Sequence, residues 1–368
     1  MEYLAVLGRQ PNISLAELKA LFSNVQKIAP TLATFSAEAN TDFSRLGGTV
    51  KVGIKINAPI LDFLQALPEG KITLGLSDYS KNANTHSAIK DALKFKNILT
   101  RHGRSVRVVS SKTPALSTAT SLHNGLSGKN ERKVELIKNG TDWYKAVFVQ
   151  DIDAYAKRDQ ARPARDARVG MLPPKLAQIL INLCGPLPTG SRILDPFCGT
   201  GVVLQEALLM GYTAYGTDLS PRMVEYTEKN LEWLSEKYCP AVRIFSLSQG
   251  DATSFRWESP IDAVACEGYL GHPMSQIPPD IKLKAEKQEC QAIILGFLKN
   301  LSTQIKSGVP VVIAAPAWLR PDGSYSRLEI LDSIDNLGYN VKDISREGLL
   351  YHRDDQIVAR DIIILRKN

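Results

Sequence analysis

The stretch Asp195-Pro196-Phe197-Cys198-Gly199-Thr200-Gly201, written DPFCGTG, decides the fold of the second half of the sequence. It follows a short apolar segment, Arg192 to Leu194, that is typical of a buried strand, and it precedes a helical pattern from Val202 to Met210. An acid at the end of a strand and two glycines in the next turn predict a ligand site, because glycine lets the backbone approach a ligand closely.

The alternation of strands and helices continues on both sides of this turn. Helices are predicted from Pro173 to Leu183 and from Arg222 to Leu234. Further strands are predicted at Thr213 to Gly216, Arg243 to Leu247, Ala263 to Cys266, Val309 to Ala314 and Ile362 to Leu365. Such alternation predicts an α/β fold with a mostly parallel sheet covered on both faces.

Two more acids follow the next two predicted strands. Asp218 is placed to accept hydrogen bonds from both ribose hydroxyls of an adenosine, Leu219 to flank its ring, and Asp251 with Ala252 to bind its amino group. The turn lacks the GxGxxG of dinucleotide sites and the GK[ST] of ATP sites. Asp195 would repel a pyrophosphate but could orient an ammonium group through water. The expected ligand is therefore cationic and free of phosphate, as S-adenosylmethionine is.

These motifs carry a resemblance to a known family. DPFCGTG, GTDLS (216–220) and GDAT (250–253) resemble the first three motifs of class I methyltransferases, in the form used by RNA methylases. VGMLPPKLAQILINLCG (169–185) resembles the segment that opens the catalytic domain of THUMP-containing tRNA guanosine N2-methyltransferases of the archaeal position-ten type. RLGGTVKVGI (45–54) and TSLHNGL (120–126) resemble the N-terminal half of that family.

The resemblance implies a domain organisation, a cofactor and a substrate. A class I, Rossmann-like methyltransferase domain is expected over residues 171–368, after a linker over residues 151–170. Before the linker, a ferredoxin-like α+β domain is expected over residues 1–57 and a THUMP-like RNA-binding domain over residues 58–150. The implied cofactor is S-adenosylmethionine, and the implied substrate is tRNA or another structured RNA, methylated on the exocyclic N2 of a guanosine.

The charge of the chain is concentrated in one block. From Thr85 to Gly170 there are 17 Lys and Arg against 8 Asp and Glu, a net charge of +9, whereas the whole chain carries +7. Clustered cations favour phosphate binding, because each neutralised phosphate releases condensed counterions. The residues expected to contact RNA are Arg101, Arg104, Arg107, Lys112, Arg132, Lys133, Arg162, Arg165 and Arg168.

The expected reaction site departs from the pattern of its family. Amino-group methyltransferases of this type carry [DN]PP[YF] after the fourth strand, where this chain has Cys266-Glu267-Gly268-Tyr269. Without a gap, Cys266 takes the position of the acid. With one deletion, Glu267 supplies the carboxylate, the Gly268 region supplies a carbonyl and Tyr269 stacks on the base, which is worth about 1–3 kcal/mol.

Several alternatives stay open at this point. Cys266 could act as a nucleophile toward a pyrimidine carbon, although nothing in the sequence around it would lower the pKa of its thiol. The site could instead have lost activity, leaving a catalytically inactive or partner-dependent RNA-binding protein that keeps its cofactor pocket. A DNA N6-adenine methyltransferase is a third possibility, and a small protein partner is not excluded.

The remaining composition favours a cytoplasmic protein without a metal. No run of 18 or more apolar residues is present, and the N-terminal sequence has neither a signal-peptide nor a transit-peptide pattern. That sequence instead predicts a strand, a turn at Gln10-Pro11-Asn12 and a helix capped by Ser14 with Glu17. The five cysteines are far apart and form no CxxC pair, so free thiols and no zinc site are expected.

Overall fold

Short apolar strands and amphipathic helices make up the first 156 residues. The computed structural model describes residues 1–166, 172–238, 245–342, 348–353 and 356–368, and contains two units, Met1–Ala156 and Lys157–Asn368. The strands of the first unit are β1 (Glu2–Leu7), β2 (Ser23–Ala29), β3 (Leu32–Ser36), β4 (Thr49–Lys55), β5 (Ile72–Asp78), β6 (Val106–Val109), β7 (Lys133–Asn139) and β8 (Asp142–Val149). Its helices are α1 (Pro11–Leu21), α2 (Ile60–Gln65), α3 (Thr85–Arg101) and α4 (Thr118–His123), and it has a 3₁₀ turn at Phe43–Arg45. The helix α5 (Ile152–Gln160) spans the boundary between the two units.

All eight strands of the first unit belong to one mixed sheet, in the order β2-β3-β1-β4-β8-β7-β5-β6. The pairs are antiparallel except for β5, which runs parallel to both β6 and β7. This is the α+β organisation expected before the catalytic half. The division into a ferredoxin-like part over residues 1–57 and a THUMP-like part over residues 58–150 stays a prediction.

The first helix begins earlier than the sequence suggests. α1 starts at Pro11, inside the expected turn, so Ser14 and Glu17 lie within the helix and the predicted capping box is wrong. The buried carboxylate of Glu17 instead accepts hydrogen bonds from the backbone N–H groups of Gly47 and Gly48, each at 2.9 Å. The Ser14 hydroxyl donates to the carbonyl of Gly48 at 2.6 Å. Ser14 and Glu17 therefore hydrogen-bond to the backbone of Gly47 and Gly48 instead of capping the first turn of their own helix.

The helix α3 leaves most of its larger aliphatic side chains outside the core. Its apolar residues Ile89, Leu93 and Ile98 are not in the core, and Leu93 is 44% exposed. The buried side of α3 carries Ala88, Ala92, Phe95 and Leu99. Small alanines allow the helix to approach the sheet closely, which leaves the larger aliphatic residues beside the lysines of the outer face.

The second unit has the predicted alternation of strands and helices. Its strands are β9 (Arg192–Asp195), β10 (Thr213–Asp218), β11 (Phe245–Gln249), β12 (Ala263–Glu267), β13 (Pro310–Leu319), β14 (Tyr325–Arg327), β15 (Tyr339–Val341), β16 (Leu350–Tyr351) and β17 (Val358–Lys367). Its helices are α6 (Pro174–Leu183), α7 (Val202–Leu209), α8 (Pro221–Tyr238), α9 (Asp280–Ser302) and α10 (Leu331–Asn336). The strand predicted from Arg243 begins outside the described residues.

The sheet of this unit has the order β11-β10-β9-β12-β13-β17-β15. Strands β9 to β13 are parallel, and β17 lies antiparallel between β13 and β15. After β9 the chain adds β10 and β11 on one side and later β12 and β13 on the other, which makes a topological switch point between β9 and β12. Open α/β sheets bind ligands at such a point, outside the carboxyl ends of the strands.

Helices cover both faces of this sheet. Tyr215 packs in a core cluster with Phe297 of α9, whereas the preceding residue, Ala214, packs with Leu204 of α7 and Leu231 of α8. Because successive residues of a strand point to opposite faces, α9 lies on one face and α7 and α8 lie on the other. The predicted α/β fold class is confirmed.

Candidate active site

The glycine-rich turn between β9 and α7 has the backbone that its sequence predicts. Gly199 has a φ of 52° and Gly201 a φ of 82°, a left-handed region that favours glycine. The Thr227 hydroxyl of α8 donates to the Gly199 carbonyl at 2.8 Å, and a Cβ on Gly201 would lie 2.8 Å from Cγ2 of Thr227. The turn is therefore pressed against α8, and only glycine fits at its second bend.

Two carboxylates frame this turn. Asp195, at the end of β9, is 2% exposed and accepts a hydrogen bond from the Phe197 N–H at 3.1 Å. Burial raises the pKa of Asp195 well above its usual range, and the negative charges of Asp218 and Glu267 raise it further. Asp218, at the end of β10, accepts from the N–H groups of Gly199 and Ser220, each at 2.9 Å, and burial raises its pKa as well.

The other predicted cofactor residues occupy varied surroundings. Leu219 is 69% exposed, which is unusual for a large apolar side chain and leaves it free to cover a ligand. Asp251 is exposed and accepts from both the N–H and the hydroxyl of Thr253 at 2.8 Å. Ala252 is buried, and so are Cys198 and Thr200 of the turn. Phe197 packs edge-on against Phe297, and the Pro196 carbonyl accepts from Thr217. Their contacts with a cofactor stay predictions.

Residues 157–166, part of the linker expected over residues 151–170, pack against the glycine turn. The guanidinium of Arg162 donates to the Thr200 hydroxyl at 3.4 Å and to the Asp159 carboxylate at 3.0 Å. The Asn230 side chain donates to the carbonyls of Thr200 and Ala164, both at 2.9 Å. This segment therefore fixes the backbone of the turn together with Asn230 of α8.

The strand β12 presents Glu267 beside Asp195 and hides Cys266. Cys266 is fully buried in the core cluster on the α9 face, and burial raises the pKa of its thiol well above the usual range. A buried, protonated thiol is a poor nucleophile, so we do not propose that role. Glu267 points to the opposite face of the sheet, as Asp195 does. Its Oε1 accepts from Nε of Arg360 at 2.8 Å, and burial raises the pKa of Glu267 while Arg360 lowers it.

The loop after β12 is attached to α9. The Gly268 N–H donates to the Ala314 carbonyl at 3.0 Å, which continues the pairing of β12 with β13. The Tyr269 hydroxyl donates to Glu289 at 3.1 Å while its ring stays half-buried, and its pKa is raised to about 12 by burial and by Glu289. The ring of Tyr269 is thus held by its hydroxyl end.

Beyond Tyr269, the loop is held by a second carboxylate of α9. Glu286 accepts from the backbone N–H of His272 at 3.1 Å, and its Oε1 lies 3.1 Å from Nδ1 of the same histidine. Within the described residues, donor atoms of His272, Glu286 and Glu289 lie within 4.8 Å of one another. The hydrogen bonds to His272 show that these carboxylates anchor the loop. The expectation that the chain uses no metal stays a prediction.

The predicted RNA-contacting residues divide by exposure. Arg101, Arg107, Lys112, Arg132, Lys133 and Arg165 are exposed. The half-buried Arg104 donates to the carbonyls of Gln65, Leu67 and Pro68. Arg162 is 3% exposed, and its guanidinium donates to Thr200 and Asp159, so we do not include it in the proposed RNA surface. Arg168 lies outside the described residues.

Two of the exposed cations flank the first residues of the parallel part of the first sheet. Thr73 of β5 pairs with Arg107 of β6 on one side and with Lys133 of β7 on the other. The Arg107 guanidinium donates to the Asn124 side chain at 3.0 Å, and the Lys133 chain runs beside Gly125. The TSLHNGL segment is therefore bordered by basic side chains.

The fold and the acidic strand ends define a class I methyltransferase. The family described as "RMKL-like, methyltransferase domain" matches residues 162–283. A probable tRNA (guanine(10)-N2)-dimethyltransferase of Methanothermococcus thermolithotrophicus is 40% identical over 184 residues, which are 49% of this chain and 99% of that protein. The chain belongs to the tRNA (guanine(10)-N2)-dimethyltransferase family.

Two further members of the family are similar over different shares of the sequence. The Methanothermobacter thermautotrophicus enzyme is 32% identical over 163 residues, 44% of each chain, so this match spans less than half of that relative. The Pyrococcus abyssi enzyme is 28% identical over 288 residues, 74% of this chain and 78% of that one. Both are named tRNA (guanine(10)-N2)-dimethyltransferase.

Among the described helices, none is long and apolar enough to cross a membrane.

Proposed function

We propose that this chain is a cytoplasmic S-adenosylmethionine-dependent methyltransferase that modifies the exocyclic N2 of a guanosine in tRNA. The observation that carries the proposal is the meeting of Asp195, Asp218 and Glu267 at the carboxyl ends of three neighbouring strands, around a glycine turn. The names of the relatives supply the substrate class.

The residues present fit S-adenosylmethionine. Each oxygen of Asp218 already accepts one backbone N–H, and the remaining lone pairs can accept ribose hydroxyls. Asp195 offers a buried carboxylate toward an ammonium group, and the exposed Leu219 offers an apolar surface to a purine. When bound, the cofactor supplies an electrophilic sulfonium methyl group, so the protein's task is mainly to position the amine that receives it.

The opposite side of the switch point suits the methyl acceptor. Glu267 would accept a hydrogen bond from the exocyclic amine and would take the proton that the amine gives up when it is methylated. The half-buried ring of Tyr269 would stack on the guanine, and the backbone at Gly268 would offer a second acceptor. An Asp-Pro-Pro turn is not required for any of these contacts.

The basic residues of the first unit would hold the RNA backbone. Arg107 of β6 and Lys133 of β7 are exposed on either side of β5, and both reach the Asn124-Gly125 turn, where a phosphate could approach both. Phosphate contacts fix position rather than sequence, so recognition of tRNA shape is expected here.

Transfer of labelled methyl groups tests the proposal. The full chain is incubated with labelled S-adenosylmethionine and unmodified total tRNA, and the nucleosides are separated by mass spectrometry. N2-methylated guanosine is the expected product. Asp218→Ala should abolish cofactor binding, whereas Glu267→Ala should remove transfer and leave cofactor binding intact. Cofactor binding without any transfer by the unaltered protein would favour the catalytically inactive alternative.

A further inference from the structure

Arg360 is a buried cation that reaches the expected acceptor site from a distant part of the sequence. It lies on β17 opposite Pro316 of β13 and is 5% exposed. Its Nε donates to Oε1 of Glu267 at 2.8 Å, and its Nη1 donates to Oε1 of Gln356 at 2.9 Å. The guanidinium is therefore fixed at two of its nitrogens, and one of them holds the proposed catalytic carboxylate.

The family's usual motif gives a reason for this contact. In [DN]PP[YF] two prolines restrict the backbone that carries a short acid or amide. Here the acid is a glutamate, which has one more rotatable bond, and the residue after it is Gly268, which restricts the backbone least. A carboxylate at this point needs an external constraint to hold one orientation, and the Arg360 contact supplies one.

We propose that Arg360 is a positioning residue that replaces the rigid Pro-Pro turn by holding Oε1 of Glu267, so that Oε2 faces the amine of the target base. The inference rests on the proposed function, because it assigns Oε2 to that amine. Arg360 itself touches neither the base nor the cofactor in this arrangement.

The charges around Glu267 make the proposal testable by pH. Arg360 of β17 faces it directly, and Asp195 of β9 interacts with it from the neighbouring strand. On β13 the adjacent Ala314 and Pro316 carry no charge. Farther away, Asp361 lies 3.8 Å from Arg327 of β14, and Glu286 and Glu289 of α9 face the Tyr269–His272 loop.

Among the described residues, Arg360 is the cation that opposes protonation of Glu267. Removing it should raise the pKa of the carboxyl further, because the effect of burial would then lose the opposition of Arg360. Only the ionised carboxylate can accept both the hydrogen bond and the proton. The loss of activity in an Arg360 variant should therefore be greatest at low pH and smallest at high pH.

The experiment measures single-turnover methyl transfer to tRNA by the full chain between pH 6 and pH 9, with cofactor affinity measured separately. Arg360→Met should bind the cofactor normally and transfer the methyl group more slowly at neutral pH, by on the order of 10- to 100-fold. Its acidic limb should move to higher pH. Arg360→Lys should keep the limb near its original position, because the charge is retained. Arg366→Met, on the exposed end of the same strand, is the matched control and should change neither quantity.

Other results would overturn the inference. A loss of rate equal at every pH would indicate a structural role only, and an unchanged rate would show that Glu267 needs no support. If Arg360→Met does not fold, the double variant Arg360→Met with Glu267→Gln removes the unpaired charge. In that background, restoring Arg360 should bring no recovery of rate, and a recovery would contradict the proposal. Failure of the unaltered protein to methylate guanosine N2 would instead refute the proposed function.

Discussion

Replacing Gly201 by alanine tests whether the glycine turn is needed for cofactor binding. Alanine at the observed φ of 82° costs roughly 1–2 kcal/mol. Its Cβ would also lie 2.8 Å from Cγ2 of Thr227, and an overlap of this kind in a packed region costs about 1–3 kcal/mol. The turn therefore has to shift, at a cost of roughly 2–5 kcal/mol from the two terms together.

Two companion variants separate these terms. Gly190→Ala has the same φ of 82° with no atom within 4 Å of the added Cβ, so it measures the backbone cost alone. Thr227→Ser removes the colliding Cγ2 and keeps the hydroxyl that donates to Gly199. Combined with Gly201→Ala, it should recover part of the loss, although removing the methyl itself costs about 0.8 kcal/mol.

Calorimetric titration with S-adenosylmethionine and thermal denaturation provide the assay. If about 1.4 kcal/mol of this cost is lost from the free energy of cofactor binding, Gly201→Ala lowers the affinity for the cofactor about ten-fold. Gly190→Ala should lower the stability by the backbone cost of about 1–2 kcal/mol and leave the affinity unchanged. The reasoning is refuted if Gly201→Ala binds the cofactor normally, or if Thr227→Ser brings no recovery.

Three further predictions concern buried charges. Lys51→Met should destabilise the first unit by about 3–5 kcal/mol, because it leaves the buried Glu135 without the cation that lies 2.5 Å away. Adding Glu135→Leu should restore much of this stability. Hydrogen exchange of β4 and β7 measures both changes. Asp195→Asn should stabilise the ligand-free protein at neutral pH and weaken cofactor binding. Burial raises the folded-state pKa of Asp195, so the cost of its ionised form disappears as the pH falls through that value. Denaturation with and without cofactor at two pH values measures both effects. Arg162→Met should weaken the cofactor several-fold through the Thr200 contact, whereas the exposed Arg165→Met should not, and equal affinities would show that the residues behind the turn are irrelevant.

The sequence predicts the placement of the acidic strand ends well because its signals are local. DPFCGTG, Asp218 and Asp251 each follow a strand within a few residues, so the α/β alternation alone brings them to one edge of the sheet. Patterns that depend on distant partners are less informative. Ser14 and Glu17 have the spacing of a capping box, yet their partners are Gly47 and Gly48.

Arg360 was missed for the same reason. It lies 93 residues from Glu267, and no spacing rule connects the two. The signal available in the sequence is a pair of charges, Arg360 and Asp361, directly before the apolar run Ile362 to Leu365. Charged residues within a buried strand require partners, but the sequence does not say which.

The place of β17 between β13 and β15 also sets an order of events during synthesis. Translation at roughly 5–20 residues per second delivers Arg360 to the growing chain about 5–20 s after Glu267. The strands β9 and β10, with their acids and glycine turn, are made well before that moment. A nascent chain could therefore acquire its cofactor while its acceptor carboxylate is still unrestrained, and it would become competent for transfer only when the antiparallel strand inserts.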